Sequence, residues 1–210
     1  MKKNTPFAAF WDAFLPNNVV LLQAAGLCPI LAVGTTLQNG VALSACTAAV
    51  MLPLSLFVTF FGNKLAQWLR PALYALLASV LLLGTAFALH FTVSPELYAA
   101  LYIFLPLMAV NTLFTYRTTP LHLSMPPLVS LADAFGSALG FALVLCISSA
   151  LREMAIYGTV WNIPLGYEAR FPEAAHPFIG FLLLGFMSAA LQWFKKLLAR
   201  NTAPKGGADL

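Results

Sequence analysis

Few residues in this chain could do chemistry. The thiols are Cys28, Cys46 and Cys146, the imidazoles are His90, His122 and His176, and Asp133 is a carboxylate at the opening of a long apolar run. Cys28 has the most distinctive setting, Gly26-Leu27-Cys28-Pro29 in the middle of the first long apolar stretch. A thiolate in an apolar medium needs positive partners, which a metal ion or an iron–sulfur cluster supplies best. The competing reading is a small packing residue. Cys46 and Cys146 lie in unbroken apolar runs and read as packing thiols. The histidines are scattered at segment ends, where solvated or interfacial imidazoles belong.

Asp133 supports two readings. An ionisable group inside a membrane span costs about 2.5 to 3.5 kcal/mol on insertion scales, so it faces a cavity or an ion pathway. Ser130-x-x-Asp133 also resembles a capping box, in which both side chains satisfy free N–H groups at a helix start. One carboxylate could do both. The following Gly136-Ser137-Ala138-Leu139-Gly140 is a small-xxx-small pattern that lets another backbone approach closely, so Gly136 and Gly140 are read as a packing face. The chain has no phosphate loop, nucleophile elbow, H-E-x-x-H helix or dinucleotide fingerprint. Its net charge of +4 comes from basic residues at segment ends, which reflects topology and not a nucleic-acid module.

The elements that position these groups follow from composition. With 210 residues, 60% hydrophobic, 9% charged and a mean hydropathy of +0.84, the chain cannot cover a globular surface with polar groups. It is expected to be an all-α integral membrane protein in a lipid bilayer. Six apolar stretches near the roughly 20 residues a span requires lie at about 18 to 37, 41 to 61, 70 to 91, 97 to 115, 130 to 151 and 177 to 198. Pro29 predicts a break at the centre of the first. The stretch from Leu27 to Thr35 lines up with Phe104 to Thr112, bringing Pro106 onto Pro29. Broken first and fourth helices, one per half, predict two inverted three-helix repeats with a site at their interface.

Residues 1–16 carry Thr5-Pro6 as a helix start and Phe7, Phe10, Trp11 and Phe14 at helical spacing, the pattern of an interfacial helix. Residues 17–200 form the six-span membrane domain, and 201–210 read as a disordered polar tail. Nine of the eleven basic residues fall on the side of the two termini, leaving only Arg152 and Arg170 on the other, beside Glu153 and Glu168. That bias predicts cytoplasmic N- and C-termini.

The text Asn17-Asn18-Val19-Val20-Leu21-Leu22-Gln23, followed by Gly26-Leu27-Cys28-Pro29 and Leu31-Ala32-Val33, resembles the opening of the RnfE/NqrD-type membrane subunits of Rnf and Na+-pumping NADH:quinone oxidoreductase complexes. Asp133-x-x-Gly136-x-x-Leu139-Gly140-Phe141 and Leu151-Arg152-Glu153 are similar to that family's fifth-span signature. The likeness implies a bacterial inner-membrane subunit that pairs with an inverted RnfA/NqrE-like partner. Each partner would lend two cysteines to a shared [2Fe-2S] cluster that passes electrons across the membrane, coupled to Na+ or H+ movement. Cys28 falls on the family's first ligand. The second falls on Thr112, within Val110-Asn111-Thr112, where the family has T-N-C. A hydroxyl is a hard, barely ionised group and a poor substitute for thiolate. The family's G-R-A-E-A-F after the fourth span becomes Tyr116-Arg117-Thr118-Thr119-Pro120-Leu121, which loses the glutamate. These departures keep an alternative open, a cluster-less divergent member acting as an ion-pathway or structural membrane protein.

Overall fold

A computed structural model describes residues 5–23, 25–92, 94–102, 104–109, 111–115, 125–161, 163–164, 166 and 171–202. Among the described residues the fold is helical apart from a two-stranded antiparallel hairpin, β1 (Thr159–Val160) with β2 (Ile163–Pro164). Four of the described helices are long and apolar enough to cross a membrane: α4 (Leu37–Phe61), α5 (Arg70–Thr92), α9 (Pro127–Tyr157) and α10 (Pro177–Thr202). The remaining helices are short. They are α1 (Pro6–Phe14), α2 (Val19–Gln23), α3 (Leu27–Val33), α6 (Pro95–Tyr102), α7 (Phe104–Met108) and α8 (Thr112–Thr115).

The first and fourth apolar stretches are therefore interrupted, but the first break lies before Pro29. Gly26 takes the left-handed conformation at φ 79°, which only glycine adopts without strain, and α3 starts at the next residue. Pro29 is the third residue of α3, in the first turn, where its missing N–H has no intrahelical partner to lose. Pro106 occupies the same third position in α7. Pro53, by contrast, sits inside α4 without ending it.

α4 and α9 form the central pair. Gly40 faces Ser149 so closely that a Cβ there would lie 2.7 Å from its Oγ, and Leu43, Val50 and Leu54 are buried with Phe141, Val144 and Leu145. α5 and α10 leave large apolar side chains on the surface, among them Leu83, Phe87, Phe91, Phe178 and Phe186, the outward face a lipid solvent calls for. α1 packs along the start of α9, where Ala9 clusters with Met125 and Val129. A Cβ at Gly136 would collide with the Phe10 carbonyl, and one at Gly140 would lie 2.8 Å from the Phe14 carbonyl. Over that turn the two helices run in the same direction.

α9 is longer than the expected 130 to 151 at both ends. It starts at Pro127 and stops where Gly158 takes φ 64°, its N–H returning to the Met154 carbonyl at 3.2 Å. Ser130 and Asp133 therefore lie inside the helix, whose N-cap is Pro126, and the capping-box geometry does not form. Residues 203–210, most of the expected tail, lie outside the described residues; Asn201 and Thr202 belong to α10.

Candidate functional site where two broken helices meet

The two interruptions come together. A Cβ on Gly26, at the start of α3, would stand 3.1 Å from the Phe141 ring and 3.6 Å from Asn111 Oδ1, just beyond the end of α7. Asn111 is buried; its Oδ1 accepts from the Leu113 N–H at 3.0 Å and its Nδ2 donates to Met108 Sδ at 3.4 Å. Backbone groups freed at the second break thus find a side-chain partner, as an apolar medium requires. At the α1–α2 junction, upstream of the first break, Asn18 performs a matching service. Its Oδ1 accepts from Val20 N–H at 3.0 Å, and its Nδ2 donates to the Phe14 carbonyl at 3.2 Å, tying α1 to α2.

Cys28 is exposed on the first turn of α3. Cys46 is buried in α4, and Cys146 is half-buried in α9. Thr112 opens α8, directly after Asn111; its side chain lies outside the described residues, as do His122 and the 116–121 segment. His90 packs edge-on against Tyr98 with centroids 5.0 Å apart. Asp133 is 2% exposed on the buried side of α9, two turns before Phe141. The structure therefore brings the Gly26–Cys28 corner to Asn111 and Phe141. Among the described residues it forms no group of three or more His, Cys, Asp or Glu suited to a metal ion.

Arg152 and Glu153, just past the expected end of the fifth span, lie inside α9 and are buried, at 0% and 2% exposure. The Arg152 guanidinium bridges two segments. Nη1 donates to the carbonyls of Leu31 at 2.9 Å, Gly34 at 3.3 Å and Ile30 at 3.4 Å. Nε and Nη2 donate to Ala174 at 3.1 Å and Ala175 at 2.8 Å, in the 3-10 turn Pro172–Ala175. The last carbonyls of a helix have no intrahelical donor, and a cation there also complements the helix dipole. Glu153 does the converse for α4: its Oε2 accepts from the Leu37 N–H at 2.6 Å, and its Oε1 from Thr159 Oγ1 at 3.1 Å. Thr36 Oγ1 adds a cap by accepting from the Asn39 N–H at 3.4 Å. Two adjacent side chains of α9 thus fix the end of the Cys28 helix and the beginning of the next.

Residues 7–198 match the family model described as Rnf-Nqr subunit, membrane protein. The E-type component of the ion-translocating oxidoreductase complex of Pseudoalteromonas atlantica is 29% identical, over 95% of this chain and 92% of its own length. The protein of the same name from Paramagnetospirillum magneticum is 34% identical, over 71% of this chain and 67% of its own. That from Azotobacter vinelandii is 28% identical, over 97% and 90%. With the match running through both broken helices and the Arg152–Glu153 pair, the chain belongs to the Rnf-Nqr family of membrane subunits.

Proposed function

We propose that this chain is a membrane subunit of an ion-translocating electron-transport complex in the bacterial cytoplasmic membrane. In this reading it holds two inverted three-helix repeats, has cytoplasmic termini and seats an RnfA/NqrE-like membrane partner. The exposed thiol of Cys28 carries the reading. A cysteine at the first turn of a helix that follows a membrane break is placed for a partner's surface and not for this chain's core. The repeated register of α3 and α7, each with proline third, supports the inverted-repeat assignment.

The family's cluster does not fit the donors of this chain. A [2Fe-2S] cluster takes four protein ligands, of which family resemblance allots two here, but only Cys28 is a thiol while Thr112 offers a hydroxyl. Cys46 is buried within α4 and Cys146 lies in another helix of the central pair. This chain therefore supplies one thiolate where its share of such a cluster needs two. What its own residues do is present one thiol, hold α3 and α4 from Arg152 and Glu153, and bury a second carboxylate, Asp133, in α9. That buried carboxylate favours the second reading, a cluster-less member contributing to an ion path.

Affinity purification, iron and sulfide analysis and low-temperature paramagnetic resonance test the proposal. The expected outcome is a complex containing flavin- and iron–sulfur-bearing partners, with labile iron or none at this site, iron gained in Thr112→Cys and lost again when Cys28→Ala is added. A protein that purifies alone or as a homo-oligomer would contradict the subunit role. A stoichiometric cluster that survives Cys28→Ala would remove Cys28 from it.

A further inference from the structure

A groove of about 380 Å³ opens between α1 with α2, α9 and α10, lined by Phe14, Leu21, Leu143, Ile147, Met187 and Leu191. Its one polar lining residue, Asn18, is committed to the Phe14 carbonyl and the Val20 N–H, so the groove offers an acyl-like interior. It runs along α10 from Met187 to Phe194, about 10 Å at 1.5 Å per residue. One turn beyond Leu191, on the same helix face, comes Lys195, half-buried, with Lys196 exposed beside it. Trp193, 65% exposed at this level, marks where aromatic side chains meet lipid headgroups. Ser188 Oγ donates to the Leu21 carbonyl at 2.7 Å, closing the far side and fixing α10 against α2.

We propose that this groove is a binding site for one anionic phospholipid, with an acyl chain lying between α2, α9 and α10 and the phosphate held by Lys195 and Lys196. Charge selects the occupant: a zwitterionic lipid or an apolar partner helix would fill the groove but would bring no net negative charge to the two lysines one turn beyond it. The site is independent of the thiol at Cys28 and of any electron-transport role.

Native mass spectrometry on the purified full chain in mild detergent, titrated with phosphatidylglycerol or with phosphatidylcholine of identical chains, tests this. One phosphatidylglycerol should be retained in preference to phosphatidylcholine. Lys195→Gln should weaken its retention about fivefold, the worth of one lysine at an anionic surface, and Lys195→Gln with Lys196→Gln should abolish the preference. Ala190→Leu, a milder groove-filling change than Ala190→Trp, should reduce retention of both lipids. Equal retention of the two lipids by the wild type would overturn the proposal. So would undiminished phosphatidylglycerol binding in the double lysine variant, or loss of the preference in the assembled complex, where a partner helix would then occupy the groove.

Discussion

Replacing Arg152 with lysine isolates the geometry of the buried guanidinium, because the charge is kept and only the fork is lost. The planar head reaches two carbonyl groups on one side, Ala174 and Ala175, and three on the other, at Ile30, Leu31 and Gly34. An ammonium is a point donor on a flexible stem and can serve only one side. Three of the five bonds are 3.1 Å or shorter, to Leu31, Ala174 and Ala175. A lysine that stays on α3 forfeits two of these; one that stays on the 3-10 turn forfeits one and leaves the α3 end uncapped. At about 1.5 to 3 kcal/mol for a hydrogen bond to a charged group, the loss is about 3 kcal/mol. For a chain of this size that corresponds to a fall in Tm of about 6 to 12 °C. Thermal unfolding in detergent, followed by tryptophan fluorescence or by loss of the monodisperse peak, measures it. Maleimide labelling of Cys28 should accelerate in parallel, since α3 is then held at one end only. A Tm within about 2 °C of wild type, with unchanged labelling, would refute the assignment of Arg152 as the anchor of α3.

Glu153→Gln keeps one carbonyl acceptor for the Leu37 N–H and turns the other oxygen into an amide that can donate to Thr159 Oγ1, so it should cost less than Arg152→Lys in the same thermal assay. Gly136→Leu should displace α1; the disulfide expected between Phe10→Cys and Phe135→Cys, whose rings are 6.0 Å apart in the native chain, should then fail to form. Asp133→Asn should slow ion-coupled turnover of the assembled complex while leaving the amount of complex unchanged, as read by transport per purified complex. Reporters fused after Leu210 should be active in the cytoplasm and those inserted at Glu168 outside it, as the bias of basic residues requires.

Much of the architecture is legible from residue types. Composition alone implies lipid as solvent, and Gly26 with Pro29 marks the first interruption, repeated at Pro106. Proline by itself is an incomplete signal, however, because α4 runs through Pro53 while packed along α9. What distinguishes Pro29 is the left-handed glycine three residues before it, which separates α2 from α3 and lets the proline serve as a helix starter. The small-residue pattern at Gly136 and Gly140 reveals a close approach but not its owner; α1 lies about 125 residues away in the chain, and nothing local names it. Arg152 and Glu153 are harder still to place, since adjacent charges beside a hydrophobic run read as the start of an aqueous loop. The available signal is Gly158, a left-handed helix stop that extends α9 past both charges and into the protein.

The order of those two charges matters as much as their burial. Neighbouring residues on a helix point about 100° apart, and here Arg152 and Glu153 address the two helix ends that meet at the 34–36 corner. The cation faces the carbonyl end of α3 and the anion faces the amide end of α4, each complementing the partial charge it meets. The reverse order would place like against like at both ends. α3 is only seven residues, about 10 Å, and carries Cys28 in its first turn. Ile30 and Leu31 bury its inner face in the core, and Arg152 fixes its carbonyl end. Core packing and a cation buried at the opposite end of its helix together position the exposed thiol, which gives Arg152 a use inside an apolar protein despite its desolvation cost.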